Sequence, residues 1–357
     1  MPDAGSDAAA VAAAIDIERA ARLLAGGGLV AFATETVYGL GADAAQRDAV
    51  AAIYATKGRP AGHPLIVHVV DLDAARWWAD LPPRAEALAR RFWPGPLTMI
   101  VPRREQAPAW ACGGQPTIGL RCPSHPLARA LLAAFARLGG HGVAAPSANR
   151  FGRISPTSAR HVRDDLADAI AAGRVLVLDG GEAEVGLEST IVDLSRARPV
   201  LLRPGAIGAR ALADALDEPV EVSANVVDPA KVDAAAPRAS GTLAAHYAPR
   251  TPLSLAGRDE LPAVVADARA VGRRLALLLT DDASAAGIEP RSAGGPVVGV
   301  EIAPADADAY GRRLYAALRR LDAVGADRIV VQAPARTPAW QAVWDRLLRA
   351  ARGSGHQ

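Results

Sequence analysis

Several residue types are scarce in this chain of 357 residues, and each scarcity excludes a class of protein. Two cysteines, Cys112 and Cys122, are too few for a disulfide framework or a four-thiolate zinc site. Aromatic residues make up 4% of the chain, and no apolar run approaches the roughly 20 residues that a membrane-spanning helix needs. The formal net charge is only +2, so any site for a polyanion must be local.

The N-terminal segment is acidic and has no basic cluster ahead of an apolar stretch. We therefore predict neither a signal peptide nor a membrane anchor, and expect a cytoplasmic protein. Half of the residues are hydrophobic, which is enough to bury a sizeable core. At about 100–200 residues per domain, the length favours two domains.

Lysine and asparagine are also rare, since the chain contains only Lys57, Lys231, Asn149 and Asn225. Where a chain uses arginine almost everywhere else, a lysine suggests a site that needs a compact point charge. Lys231 lies among small residues and is typical of a tolerant surface position. Lys57 lies in the motif KGRP, close to other polar motifs, and is the better candidate.

Short apolar runs alternate with Ala/Leu/Arg-rich helical stretches over the first half of the chain. Because several strands follow one another without a helix between them, we predict an α/β (α+β) domain over 15–205 with a twisted mixed sheet and flanking helices. The predicted strands are 29–33, 65–70, 97–101, 117–121, 143–146, 175–178, 190–194 and 200–202. The predicted helices are 16–25, 47–56, 73–91, 126–138 and 158–171.

The stretch 217–250 has no sustained period and is rich in small residues and proline. We interpret 206–250 as a linker, and a linker of this length is either disordered or functional. Beyond it, predicted strands at 275–279, 297–302 and 328–331 alternate with helices at 306–322 and 338–351. This alternation favours a smaller Rossmann-like α/β domain with a parallel sheet over 251–357.

Common catalytic signatures are missing from the sequence. The segment from Gly181 to Gly186 has the glycine spacing of a P-loop, but Leu187 and Glu188 stand where lysine and serine or threonine are required. The chain has no HExxH, CxxC or GxSxG motif. A metal cage for hydrolysis and a nucleophilic triad are therefore not predicted.

Polar clusters instead follow the apolar strands, at the strand ends where sheet proteins often build sites. Each has a plain alternative as an ordinary turn or a solvated strand end. Together they supply arginine forks, a lysine and several hydroxyls, a set suited to carboxylate and phosphate groups. The clusters are TETVYGLG (34–41), KGRP (57–60) with HPLIVHV (63–69), TIGLRCP (117–123), APSAN (145–149), EST (188–190) and LRPG (202–205).

These clusters, with WPGPLT (93–98), NRFGRISPT (149–157), GLESTIVDL (186–194) and HYAP (246–249), resemble the YrdC-like threonylcarbamoyl-AMP synthase family in its long two-domain form. The resemblance covers most of 15–250 in order and is weaker over the C-terminal part. It implies that L-threonine, bicarbonate and ATP yield threonylcarbamoyl-AMP and pyrophosphate. A downstream transferase complex would use this product to modify tRNA next to the anticodon.

The resemblance also implies roles for individual residues. Arg121 would pair with the carboxylate of threonine, and Tyr247 would fold over the nucleotide as a lid. His63 stands where the family often has asparagine, which is a departure from the family pattern. Threonine would be bound by Thr36, His68, Arg121, Ala145 and Ser189. ATP would be bound by Lys57, Arg59, His63, Thr117, Ser147, Asn149, Ser155, Arg203 and Tyr247, of which Lys57, Arg59, Ser147 and Asn149 would face the phosphates as the catalytic set.

Magnesium is expected to arrive with ATP, bound by phosphates and water without a protein cage. Two other functions remain open from the residues. A carbamoyl-transfer module would belong to a longer chain with zinc-finger segments, for which two cysteines are too few. An RNA- or ribosome-binding module would show a wide basic surface, whereas the basic residues here cluster at motifs. Direct binding of tRNA stays open beside these two alternatives.

Overall fold

Two sheets organise the chain, a mixed sheet of ten strands and a parallel sheet of four. The computed structural model describes residues 4–231, 233, 236–280 and 295–355. Within that part of the chain, no helix combines the length and the apolar character required to cross a bilayer. The predicted fold class, a twisted mixed sheet followed by a smaller α/β domain, is confirmed.

The first sheet has the strand order β10-β9-β8-β4-β5-β3-β6-β2-β1-β7, with parallel and antiparallel neighbours. Its strands are β1 Leu29–Phe32, β2 Gly39–Asp43, β3 Ile66–His68, β4 Leu97–Pro102, β5 Thr117–Arg121, β6 Val143–Ala144, β7 Val175–Val177, β8 Thr190–Asp193, β9 Val200–Arg203 and β10 Glu221–Val222. Its helices are α1 Ala4–Ala25, α2 Arg47–Lys57, α3 Leu72–Trp78, α4 Pro83–Phe92, α5 Pro126–Arg137, α6 Ala159–Asp165, α7 Ala167–Ala171, α8 Ala209–Leu216 and α9 Ala224–Val227.

Local chemistry explains several boundaries in this domain. Gly58 ends α2 with φ of 65°, a left-handed conformation that glycine adopts without a steric penalty. Pro83 and Pro126 each begin a helix, where their missing N–H group has no intrahelical partner to lose. The single helix predicted at 73–91 is wrong, because Pro82 and Pro83 separate α3 from α4. The helix predicted at 158–171 is likewise broken, at Leu166.

Other elements were not predicted. Strand β2 was missed because Gly39 and Gly41 are poor strand formers; a side chain at Gly41 would meet Phe32 and Val143 within 2.8 Å, so close packing explains that glycine. The predicted linker begins with ordered structure, since α8 packs beside α4 and β10 extends the first sheet.

The second sheet is parallel throughout, with the order β11-β14-β12-β13. Strand β11 and helix α10, neither of which was predicted, precede the elements expected from the sequence. The strands are β11 Leu253–Ala256, β12 Leu275–Thr280, β13 Val297–Ala303 and β14 Arg328–Gln332, and the helices are α10 Leu261–Ala270, α11 Ala307–Asp322 and α12 Gln341–Gly353.

The two domains share one apolar cluster. Val37, Ile154 and Leu187 of the first domain pack against α11 and α12, which contribute Tyr315 and Leu347 among others. Burial of apolar surface stabilises this contact by about 25 cal/mol per Å², and it joins the C-terminal domain to loops of the first domain.

Candidate active site

Most of the predicted site residues surround one cavity of about 50 Å³ at the strand ends of the first sheet. Register explains part of this convergence, because His68 on β3 lies beside Arg121 on β5. Predicted residues that line the cavity are Thr36, Arg59, His68, Arg121, Ala145, Ser147, Ser189, Arg203 and Tyr247. Predicted residues outside its lining are Lys57, His63, Thr117, Asn149 and Ser155.

Arg121 is buried at the end of β5 and forms an ion pair with Glu35. Its Nη2 atom lies 2.8 Å from Glu35 Oε1, but the two do not align as a hydrogen bond. Nε and Nη2 of Arg121 therefore have no hydrogen-bond acceptor among the described residues. The other carboxylate oxygen of Glu35 accepts from the backbone N–H groups of Ser124 and His125. Burial would raise the pKa of Glu35, but the charge of Arg121 and the hydrogen bonds to the carboxylate together lower that pKa.

His68 lies between this ion pair and the ring of Phe32, which it meets edge to face at 6.4 Å. Burial and the nearby charge of Arg121 lower the pKa of His68 to about 3, so the ring is neutral near pH 7. Its Nδ1 atom has no hydrogen-bond partner within the described chain. A neutral imidazole next to a cation offers a ligand one uncommitted ring nitrogen.

Lys57, at the end of α2, is directed at the backbone of the 145–149 loop. Its Nζ atom donates to the carbonyl oxygens of Ser147 at 2.6 Å and Asn149 at 2.5 Å. The Ser147 hydroxyl in turn donates to Asn149 Oδ1 at 2.6 Å. Burial, followed by the charge of Arg59, lowers the pKa of Lys57. Of this predicted set, the lysine and the asparagine shape the loop and present Ser147 to the cavity.

Arg59 and His63 meet at the ring of Phe151. The guanidinium of Arg59 lies 5.6 Å from the ring centre, and His63 meets the ring edge to face at 5.5 Å. Arg59 donates to the carbonyl oxygen of Pro64, while its buried Nε atom has no partner among the described residues. Burial lowers the pKa of Arg59 to about 10, so it remains a cation at pH 7.

Arg203, at the end of β9, has its donors engaged by neighbouring residues. Nε donates to the carbonyl oxygen of Ser189, Nη2 to its hydroxyl, and Nη1 to the carbonyl oxygen of Ser240. The Ser189 hydroxyl also lies 2.8 Å from that of Thr98. Thr117 is on the far side of Ile66, lining a small neighbouring cavity of about 20 Å³ with Thr98.

Residues 236–250, which we call the strap, close the cavity from the linker side. Arg238 donates to the carbonyl oxygens of Gly62 and Gly113. Tyr247 is almost fully buried, and its φ of 60° is a left-handed conformation that costs a non-glycine residue about 1–3 kcal/mol. Its hydroxyl donates to the carbonyl oxygen of Gly241. A Cβ atom at position 241 would lie only 2.0 Å from this hydroxyl, so the close approach requires glycine.

Glu188 is a second buried carboxylate at the cavity, and it was not predicted as a site residue. Ser155 donates a hydrogen bond to its Oε1 atom at 2.5 Å. Arg346 on α12 and Tyr315 on α11 bind its Oε2 atom at 2.7 and 2.9 Å. Burial would raise the pKa of Glu188, but the charges of Arg346 and Arg203 lower it to about 2.

Sequence reasoning therefore missed both acids, Glu35 and Glu188. Each lies inside one of the polar motifs, next to at least one hydroxyl residue and within three positions of a buried strand. A carboxylate in such a position requires a partner, because an isolated buried charge is costly. That signal marks the two acids, but it does not identify Arg121 and Arg346 as their partners.

Comparisons with known proteins agree with this architecture. Residues 22–205 match the Sua5, YciO and YrdC family model, described as telomere recombination, and residues 207–352 match the model described as threonylcarbamoyl-AMP synthase, C-terminal domain. The chain is 36% identical to threonylcarbamoyl-AMP synthase of Pyrococcus abyssi over 94% of this chain and 93% of that protein. For the enzyme of Bacillus subtilis the identity is 37%, with the same coverage.

A crystal structure of Pyrococcus abyssi Sua5 complexed with L-threonine superimposes with a TM-score of 0.82 at 34% identity, covering 95% of this chain and 94% of that one. Shorter relatives also exist. The threonylcarbamoyl-AMP synthase of Halorhodospira halophila aligns over 44% of this chain and 83% of its own length. With both family models matched and relatives aligned along nearly the whole chain, this protein belongs to the threonylcarbamoyl-AMP synthase family.

Proposed function

We propose that this chain condenses L-threonine, bicarbonate and ATP into threonylcarbamoyl-AMP and pyrophosphate. The observation that carries the proposal is Arg121, a buried cation at the cavity whose Nε and Nη2 atoms lack hydrogen-bond acceptors among the described residues. A planar guanidinium with two such donors binds a carboxylate at two points. The threonine complex of the Pyrococcus abyssi relative supports an amino-acid substrate.

The threonine pocket in this proposal lies next to Arg121. Thr36, His68, Ala145 and Ser189 line the same cavity, and they offer two hydroxyls, a neutral imidazole and a small apolar face. A small hydroxylated amino acid would match these groups, with its carboxylate on Arg121. The tight surroundings would exclude bulkier side chains.

ATP would bind beside threonine, with its phosphates near Arg59 and Ser147. The cavity of about 50 Å³ holds on the order of a few water molecules, whereas a nucleotide site requires several hundred Å³. We therefore propose that the strap opens to admit ATP and then closes with Tyr247 over the nucleotide. Closure would exclude water from a labile carbamate and its adenylate.

The proposed chemistry requires no enzyme nucleophile. The amine of threonine joins bicarbonate and releases water, which gives a carbamate. A carbamate oxygen then attacks the α-phosphate of ATP, the bond to the β-phosphate breaks, and pyrophosphate leaves. Arg59 would neutralise developing charge on the phosphates, while Lys57 and Asn149 hold the loop that presents Ser147.

Magnesium would enter with ATP, bound by phosphate oxygens and water. The donor set fits that arrangement, because the carboxylates of Glu35 and Glu188 are already paired with Arg121 and Arg346. When bound, the ion would supply further charge neutralisation at the triphosphate. The protein would contribute hydroxyl groups around it.

The product would pass to a transferase complex that modifies tRNA next to the anticodon, which places the reaction in the cytoplasm. A role limited to RNA binding is less well supported. Lys57, Arg59, Arg121 and Arg203 are all under a tenth exposed, so they cannot form a broad face for RNA phosphates.

Pyrophosphate release from ATP tests the proposal, with each substrate omitted in turn. We expect release to require L-threonine, bicarbonate and magnesium together. Equal release without threonine would refute a threonine-dependent synthase. Release that depends on threonine but is unaffected by removal of bicarbonate would refute the carbamate step.

A further inference from the structure

Two side chains of the C-terminal domain reach the cavity of the first domain. Arg346 on α12 and Tyr315 on α11 are both fully buried, and both bind Oε2 of Glu188. Glu188 lines the cavity, one residue before Ser189. Through Glu188, two side chains of the C-terminal domain are hydrogen-bonded to a carboxylate that lines the cavity.

The donors of Arg346 are fully committed to this corner. Besides Glu188 Oε2, the guanidinium binds the backbone carbonyl oxygens of Glu188 at 3.3 Å and Pro204 at 3.0 Å, and the carboxylate of Asp345 at 2.7 Å. It therefore fixes the backbone of two of the motifs that enter the cavity, GLEST and LRPG. Because the N–H groups of Arg346 already donate to these protein acceptors, none is left to bind a substrate. The side chain instead determines where Glu188 and Pro204 lie.

Glu188 is in turn connected to two residues that are predicted to bind the substrates, Ser155 and Ser189. Ser155 donates to Glu188 Oε1, and Ser189 follows Glu188 in the chain. The strap ends in the same corner, where Arg346 lies 5.3 Å from the ring centre of Tyr247. Tyr315 stacks on that ring at 5.9 Å.

We propose that Arg346 and Tyr315 are positioning residues of the synthase site, which act through Glu188 to hold Ser155 and Ser189 in place for ATP and threonine. This inference rests on the proposed function. It makes the C-terminal domain part of the catalytic unit, although neither residue touches a reacting atom. The alternative is a clamp that holds the domains together without affecting turnover.

The two roles differ in what happens when one hydrogen bond to Glu188 is removed. Arg346→Met is the obvious variant, but it leaves a buried carboxylate without its main counterion, so the protein can fail to fold. Tyr315→Phe removes only the hydroxyl that binds Glu188 and keeps the ring that stacks on Tyr247. This substitution therefore provides the main test.

Tyr310 offers a matched control on the same helix. It is fully buried like Tyr315, but its hydroxyl has no hydrogen-bond partner among the described residues. For Tyr315→Phe we expect kcat/KM to fall about five- to tenfold for both threonine and ATP, since a hydrogen bond to a charged group is lost. For Tyr310→Phe we expect both values within about twofold of wild type, because no such bond is lost. Equal kinetics for the two variants would overturn the inference, whatever their melting temperatures.

A double-mutant cycle then tests whether Glu188 is the intermediary. If Tyr315 acts through that carboxylate, Tyr315→Phe should have less than about a twofold further effect in a Glu188→Gln background. If the two losses multiply instead, Tyr315 acts by another route and the inference is wrong. Should wild type itself release no pyrophosphate in a threonine- and bicarbonate-dependent manner, the proposed function fails, and this inference with it.

Discussion

Two buried arginine–glutamate pairs lie at the same cavity and differ in how completely the arginine is bound. Arg121 and Glu35 belong to the first domain, and two nitrogens of Arg121 lack hydrogen-bond acceptors among the described residues. Arg346 reaches Glu188 from the C-terminal domain, and its guanidinium also donates to acceptors of two other residues, Pro204 and Asp345. Burial is nearly the same for both arginines, at 4% and 0% exposure, so it does not distinguish them.

Because burial and charge are alike in the two arginines, we take unpartnered donors as the feature that separates the proposed ligand-binding arginine from the proposed positioning one. A saturated guanidinium stabilises and positions its surroundings, whereas an unsaturated one pays a desolvation cost that a ligand can recover. By this criterion Arg203 resembles Arg346, because its nitrogens already bind Ser189 and Ser240. Arg59, with an unpartnered Nε within the described chain, resembles Arg121.

The largest effect expected from this comparison concerns stability. Arg346→Met should lower the free energy of unfolding by about 3–5 kcal/mol, because Glu188 stays buried without its main counterion. Arg121→Met should cost less, since Glu35 keeps two backbone donors at the start of α5. Urea unfolding of both variants measures the difference. A larger loss for Arg121→Met would contradict the distinction between the pairs.

For kcat/KM with threonine, substitution of Arg121 should have a larger effect than loss of the Glu188 contacts made by the C-terminal domain. Arg121→Lys keeps the charge but loses the planar fork, so kcat/KM for threonine should fall on the order of 100-fold. ATP binding in the absence of threonine should stay within about twofold of wild type, because Arg121 lies on the threonine side of the proposed site. Pyrophosphate assays with varied threonine and calorimetry with ATP measure the two quantities. Equal losses in both would remove Arg121 from its proposed role.

Tyr247 connects the strap to the Arg346 corner, and its loss should have an intermediate effect. Tyr247→Leu removes the ring that contacts Arg346 and Tyr315, so the strap should close less firmly over the nucleotide. We expect hydrolysis or escape of the intermediate to rise about fivefold, while initial pyrophosphate release changes less. Chromatographic quantification of free AMP and threonylcarbamoyl-AMP provides the measurement. Unchanged leakage would argue against a lid.

The smallest effect concerns pH. Burial lowers the pKa of both His68 and His246 to about 3, whereas an unfolded histidine titrates near 6.5. The unfolded state therefore binds more protons, and stability should fall as the pH drops from about 6.5 toward 3. The carboxylates of the two pairs have lowered pKa values, so their contribution is lost only at more acidic pH. The histidines should thus dominate between pH 7 and 5.

Thermal unfolding midpoints across this range test the assignment. His246→Asn should flatten the dependence, while exposed His141→Gln serves as the control. A wild-type midpoint that stays constant from pH 7 to 5 would contradict the expected role of the histidines.

Much of the fold could be predicted from apolar runs, because buried strands such as β1 and β12 are nearly continuous in hydrophobic residues. Strand β2 could not, since its glycines are selected by close contacts with neighbouring strands rather than by strand propensity. Helix α8 could not be predicted for a similar reason, because it is stabilised by a contact with another element. It lies near the start of the segment that we interpret as a linker from the sequence. Its apolar face is explained only by the helix that it packs against.

For the site, motifs identified the strand ends but not the bonding between them. Lys57 stood out by its rarity, yet its bonds to the carbonyls of Ser147 and Asn149 depend on the folded loop. Arg346 lies in an ordinary amphipathic helix, where an arginine is most simply read as a surface residue. Contacts between the domains join residues that are far apart along the chain, 158 positions for Arg346 and Glu188, and no local pattern encodes them.

The shared cluster between the domains has a consequence for shortening the protein. This chain cut back to its first domain would expose Val37, Ile154 and Leu187 to water and leave Glu188 without its cation. Such a fragment should aggregate rather than behave as a minimal enzyme. Converting the long form into a short one would require redesigning this face, not merely removing a module.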